Sequence, residues 1–257
     1  MKYLILYFTF FISTLISCSQ TYKIYDKKRS AFDLLQIKGE VNSVVEYTCS
    51  ATDSLGKIKL KDTLQIPTPK EWVFDSTGSI KFQNLLNYKN LNNQISHKFI
   101  IYDHNKMKEL WYEVRENDTL LVEKMQLNDS LKNIHSISYN YAGTVTSKSS
   151  TKYTSKKVET TITNKYSKDQ TKTIGFLNEN GKVDSLKVFI NGKLHTEIRN
   201  EYQNNELSKI VSKNADGLEK ELLFKYNYDD LGNWVEKIMY ENGNLISVTI
   251  RKINYNR

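Results

Sequence analysis

The chain is poor in the residues that build metal sites, redox centres and covalent frameworks. Its 257 residues include two cysteines, two prolines and four histidines. Two cysteines cannot make a disulfide scaffold. His97, His104, His135 and His195 stand in no His-x-x-x-His or cysteine-rich spacing, so no metal is implied. There is no Gly-x-Ser-x-Gly elbow, no phosphate-cradling glycine loop and no dinucleotide fingerprint. These gaps point away from an enzyme and away from a cofactor. Two prolines and ten glycines exclude collagen-like and proline-rich disordered chains. No apolar run reaches the roughly 20 residues that a membrane-spanning helix needs.

What the chain has in quantity is tyrosine, 17 of them, with 10 phenylalanines and 3 tryptophans. Tyrosine suits sheet surfaces that are apolar beneath and wet above. The clearest stretch is 221–250. Leu222, Phe224, Tyr226 and Tyr228 alternate with Leu223, Lys225, Asn227 and Asp229, a period of two that fits a half-buried strand and no helix. Asp229 to Asn233 supplies a turn, with an Asp carboxylate to cap backbone amides and Gly232 for positive φ. Further turns centre on Asn180-Gly181, Asn191-Gly192, Asn204-Asn205, Asp216-Gly217 and Asn242-Gly243. Short strands at this spacing indicate an all-β protein of tandem antiparallel hairpins, forming a curved, elongated or partly closed sheet.

Residues 1–17 read as an exported leader. Lys2 precedes a short apolar core, and Leu15-Ile16-Ser17-Cys18 resembles the bacterial lipobox. That resemblance implies lipidation of Cys18, and more than one acyl chain gives stable membrane anchoring. Cys49 is then left without a partner and packs as a small apolar side chain, sharing strand parity with Val45 and Tyr47. Residues 18–35 read as a tether, with a short helical turn at 30–35, and 36–257 as one repeat-type β domain. Within it, 144–173 holds Ser, Thr or Lys at 21 of 30 positions, which predicts a polar exposed insertion or an edge hairpin. Loss of Lys2 with the leader takes the formal charge from +8 to +7. An exported basic chain meets anionic lipid, acidic polysaccharide or an acidic partner, and nucleic acid is not expected. The residues after Cys18, Ser-Gln-Thr-Tyr-Lys, lack an acidic run, which favours a periplasm-facing position at the outer membrane.

Tyr226-Asn227-Tyr228-Asp229-Asp230-Leu231-Gly232-Asn233-Trp234 resembles the YD (Rhs-type) repeat, Tyr-Asp-x-x-Gly-Asn and an apolar residue, with a second glycine at Gly243. Phe74 to Ile80 resembles a weaker copy, and Tyr102-Asp103-His104 begins one. The segment from Lys38 to Glu46 is similar to the opening of short bacterial lipoproteins built from such degenerate repeats. The resemblance implies a curved sheet of successive hairpins, and it carries no catalytic residues. The chain is too short to close a shell of the kind that large Rhs-type proteins wind.

Two constellations have competing readings. Asp229-Asp230 could serve acid–base chemistry, but turn capping explains the pair better. Trp72, Trp111, Tyr226, Tyr228, Trp234 and Tyr240 could form a platform that stacks on sugar rings, while cross-strand packing is the plainer account. The resulting expectation is a lipid-anchored envelope module that binds an envelope protein or glycan. The alternatives are an immunity-type protective lipoprotein against a delivered toxin and a carrier of hydrophobic cargo.

Overall fold

The computed structural model describes residues 37–54, 57–60, 69–74, 80–89, 95–103, 108–115, 118–127, 133–140, 142–167 and 169–255. Cys18, the tether and the helical turn expected at 30–35 lie outside them, as does the weaker Asp75–Gly78 turn.

The chain is all-β, as the alternation of apolar and polar residues predicts. Seventeen strands belong to one antiparallel sheet. They are β1 (Val41–Ser54), β2 (Lys57–Leu60), β3 (Lys70–Phe74), β4 (Ile80–Lys89), β5 (Ile95–Asp103) and β6 (Lys108–Arg115). Then come β7 (Asp118–Leu127), β8 (Asn133–Tyr139), β9 (Val145–Tyr153), β10 (Lys157–Asn164), β11 (Gln170–Leu177) and β12 (Val183–Ile190). The last five are β13 (Lys193–Gln203), β14 (Glu206–Asn214), β15 (Glu219–Tyr228), β16 (Trp234–Glu241) and β17 (Asn244–Tyr255).

From β3 to β17 each strand pairs with the next, a fifteen-strand meander. The meander is not closed by its own ends, because β3 and β17 do not pair. β1 lies between them. Val45 faces Lys252 of β17 on one side and Glu71 of β3 on the other. The far end of β1 pairs with β2.

Two kinds of turn set the register. Asn191-Gly192, Asn204-Asn205 and Asn242-Gly243 carry positive φ at both residues, the two-residue hairpin turn that follows strand twist. The second kind recurs at Asn140, Asn178, Asn214 and Asp229. In each, a glycine three residues on donates its N–H to the backbone carbonyl of the Asx residue, whose own N–H reaches the carbonyl four residues on. The Asx side chain accepts from amides inside the turn, Leu231 and Asn233 in the case of Asp229. This is the capping role expected of Asp229, with Gly232 at φ +76.

The buried face points inward, except on β1, β16 and β17, where Ala51, Ile238 and Val248 form a buried cluster at outward parity. One apolar cluster joins Val41 and Val44 of β1 and Trp72 and Phe74 of β3 to Met125, Ile134, Tyr153 and Val158 on β7 to β10. Strands β4 to β6 separate the two groups along the meander, so the contact crosses the interior. At this end the sheet packs on itself as two layers, like the facing sheets of a β-sandwich. A second cluster, Leu186, Val188, Ile198 and Ile210, lines the same inward face on β12 to β14.

The segment 144–173 is neither an insertion nor an edge. It supplies β9, β10 and the start of β11, and both β9 and β10 are paired on two sides. Its inward residues are apolar at one end, Tyr153 and Val158, and hydroxylic beyond them, where they satisfy each other across the strands. Thr151 and Thr160 are buried and hydrogen-bonded at 2.9 Å, and Ser136 bonds Ser149 at 2.8 Å. Composition alone signalled exposure because it does not reveal that such hydroxyls stand directly opposite one another.

Asn233 fastens the N-terminal entry of the domain. Its Oδ1 accepts from the Lys38 N–H at 2.6 Å, and its Nδ2 donates to the Lys38 carbonyl at 3.0 Å and to Tyr255 Oη at 2.7 Å. The Tyr255 hydroxyl in turn donates to Asp229 Oδ2 at 2.5 Å. Asn233 is fully buried. Asn233→Ala leaves the backbone of Lys38 without these partners and is expected to cost about 2–3 kcal/mol, measured by urea unfolding. A loss under about 0.5 kcal/mol, the range of ordinary surface substitutions, would show that the clasp is ornamental.

Candidate functional site

The inward face carries charge as well as apolar side chains. Glu46 of β1 shares parity with Val44, and Arg251 of β17 lies directly opposite it. Arg251 Nη2 and Nε donate to Glu46 Oε1 at 2.7 and 3.0 Å, and the two side chains are 4% and 11% exposed. The guanidinium lies 3.3 Å from the centre of the Trp234 ring. That stack and the forked pairing suit arginine and not lysine. Lys237 Nζ stands 5.3 Å from the same ring. Tyr226 meets Trp234 edge to face at 6.0 Å and donates its hydroxyl to the Leu207 carbonyl at 2.8 Å.

The neighbouring hairpin β13–β14 extends this cluster. Tyr202 donates to the Val183 carbonyl at 2.8 Å, and Lys182 sits 5.1 Å from its ring while donating to the Asn205 carbonyl. Burial pushes the Glu206 carboxyl above its ordinary value, against the pull of Arg251, Lys182 and Lys237. Burial likewise lowers the lysines, Lys182 and Lys237, and raises Tyr202 to about 12. Two carboxylates and three cations thus gather in a partly buried stretch of the wall. This arrangement orders the wall; no two of its groups form a nucleophile and base pair. Among the described residues no group of three or more His, Cys, Asp or Glu could hold a metal ion.

The six aromatics singled out from the sequence do not form one stacking platform. Trp72 is buried in the interior cluster, and Trp111 packs against that cluster. Tyr226, Tyr228 and Trp234 gather at the end of the β15–β16 hairpin, where Trp234 is 6% exposed and Tyr228 45%. Tyr240 packs with Ala51, Ile238, Leu245 and Val248, with Lys225 Nζ 5.1 Å from its ring. Most of this aromatic surface is spent on packing. Asp229 is occupied with capping, and Cys49 is half-buried opposite Val248.

Sequence reasoning missed the Glu46–Arg251 pair because 205 residues separate its members. A signal was present: a glutamate alternating with Val44, and an arginine alternating with Thr249 and Ile253, both at inward parity. On the outer wall the partners lie nearer in sequence. There, Lys157 pairs with Glu159 along β10, and charges pair across the strands: Lys172 with Glu159, Lys187 with Glu197, and Lys209 with Glu201 and Glu221. These residues alternate with the inward row, so the outer face from β10 to β15 is a ladder of ion pairs.

No family model and no curated protein matches the chain. Solved structures do. The chain is similar to a porin-like protein from Bacteroides vulgatus ATCC 8482, at 11% identity and a TM-score of 0.46, covering 85% of this chain and 99% of that one. It is also similar to a porin-like protein from Bacteroides uniformis ATCC 8492, at 10% identity and a TM-score of 0.43, covering 83% and 98%.

Two substitutions test the interior cluster. Arg251→Met strands the Glu46 carboxylate and is expected to cost about 3–5 kcal/mol, with the added change Glu46→Leu restoring part of the loss. A double variant no more stable than Arg251→Met alone would contradict the pairing. Glu206 has a folded-state pKa above its ordinary 4.5. Folding therefore takes up a proton between the two values, and its contribution to stability falls as pH rises through that window. Glu206→Gln should flatten this fall in urea midpoints followed upward from pH 4.5; an unchanged slope would place the dependence elsewhere.

Proposed function

We propose that the protein is a lipid-anchored, non-catalytic binding module of the bacterial envelope, held to the membrane through Cys18 and carrying its β domain in water. The observation that carries this reading is the charged outer wall. An even ring of antiparallel strands invites the alternative that the sheet itself spans a bilayer. A lipid-facing lysine or arginine costs about 2–4 kcal/mol at the bilayer midplane. The wall from β10 to β15 bears Lys172, Lys187, Lys209 and their acidic partners on its outward face. The interior, by contrast, is packed with apolar side chains at one end. That is the reverse of a water-filled pore in lipid. Anchoring then falls to the lipobox-like Leu15-Ile16-Ser17-Cys18, and a periplasm-facing position follows from the basic, non-acidic sequence after it.

A module of this kind acts by presenting a surface, and its partner is an envelope protein or a glycan. Metabolic labelling with a fatty acid should mark the wild-type protein and not Cys18→Ala. Replacing residues 1–18 with a cleavable leader that lacks a lipidation cysteine should release the folded domain in soluble form. A domain that remains resistant to alkaline extraction after that exchange would show that the sheet is embedded, and would overturn the reading.

A further inference from the structure

We infer that the shallow cleft between the ends of β9 and β10 binds an acidic polysaccharide, an inference that rests on the binding-module reading. The cleft measures about 370 Å³ and is lined by Val145, Ser147, Lys148, Thr163, Asn164 and Lys165. That volume falls in the range of small-ligand sites, about 300–1,000 Å³. Its open shape suits one or two residues of a chain that continues past it.

The strands that form this cleft are rich in lysine. The segment 144–173 holds seven lysines against two acids, Glu159 and Asp169. Further round the outer face three lysines are matched: Lys172 with Glu159, Lys187 with Glu197, Lys209 with Glu221. Lys148 and Lys165 have no carboxylate partner among the described residues. Beside them Tyr166 is 66% exposed, the ring lying under Lys165 Nζ at 5.8 Å. The backbone that carries these groups is fixed. The Lys165 N–H donates to the Thr146 carbonyl at 2.8 Å, and the Tyr166 N–H to Asn164 Oδ1 at 2.8 Å. The ammonium groups of Lys148 and Lys165, the Thr163 hydroxyl on the same face and an exposed tyrosine ring match a carboxylated sugar. The ammoniums take the carboxylate, Thr163 takes a sugar hydroxyl, and the ring takes a C–H face.

Position argues for a polymer over the membrane surface. The domain is entered at Ile37 beside the Asp229–Asn233 turn. The cleft lies at the opposite ends of the strands, where β9 begins and β10 ends. A chain anchored through its N-terminal side therefore presents the cleft away from the anchor.

The test uses full-length protein in detergent micelles, with polygalacturonate, its fully methyl-esterified uncharged form, and vesicles containing phosphatidylglycerol as probes. Binding to polygalacturonate is expected to be saturable and to weaken with salt. The uncharged polymer and the vesicles should bind at least about tenfold more weakly. Lys148→Gln/Lys165→Gln and, separately, Tyr166→Ala should each weaken polygalacturonate binding by about tenfold or more. Lys213→Glu, a charge change elsewhere on the outer wall, should leave it within about twofold. Equal binding of charged and uncharged polymer, preference for the vesicles, or full binding by both cleft variants would overturn the inference. Failure to bind polygalacturonate together with capture of a defined envelope protein would overturn it too, while leaving the binding-module reading intact.

Discussion

The pairing of β1 on both of its sides is the constraint on which the rest of the structure depends. A fifteen-strand meander has two edges, and each edge is a row of unsatisfied N–H and C=O groups that invites association. β1 covers both at once, through Ser43 to Glu46 against β3 and through most of its length against β17. It comes from the start of the domain and meets the end, so the longest loop in sequence must close before either edge is satisfied. Such closure carries a large entropic cost. The Asn233 clasp on Lys38, with Tyr255 and Asp229 behind it, fixes where β1 enters and so fixes the register of the seam.

Closure also sorts the residues. Once β1 is in place, each strand has an inward and an outward row. The inward row holds the apolar cluster that joins β1 and β3 to β7–β10, the hydroxyl pairs of β8–β10, and the Glu46–Arg251 pair under Trp234. The outward row holds the ion-pair ladder from β10 to β15 and, on β1, β16 and β17, the apolar cluster of Ala51, Ile238 and Val248. Each exposed pair contributes little, about 0–1 kcal/mol, so the ladder matters less for stability than for the medium it requires. The binding-module proposal takes that medium to be water. The buried Glu46–Arg251 pair is different in kind. Its removal by halves is costly, whereas its net contribution against an apolar pair is small, and its use here is to set which β17 residue faces which β1 residue.

Much of this was legible in the sequence where the signal is local. Strand alternation at Leu222–Tyr228, and the turns at Asn191-Gly192, Asn204-Asn205, Asn242-Gly243 and Asp229–Gly232, depend on neighbouring residues and stand as expected. What lay hidden was long-range. Nothing near Lys38 announces Asn233, and nothing near Glu46 announces Arg251. The hydroxyl-rich 144–173 segment misled because a threonine costs little to bury only when another stands opposite it, as Thr151 does Thr160. The aromatics follow the plainer of their two readings, packing: Trp72, Trp111 and Trp234 are occupied with the interior, while the exposed ring beside the basic cleft is Tyr166.

The account turns on the seam, and a distance across it is its most direct test. Glu71 on β3 and Lys252 on β17 both lie opposite Val45. They are therefore two strand spacings apart, about 10 Å at the backbone. Spin labels at these two positions, in protein carrying Cys49→Ser and lacking Cys18, report the separation by pulsed electron resonance. With β1 between them, the account predicts a single narrow distribution below about 25 Å once the label linkers are included. A sheet whose two ends lie apart would place the labels several tens of Å from each other, up to about 70 Å if it were flat. A long or broad distribution of that kind would contradict the closure on which everything else here rests.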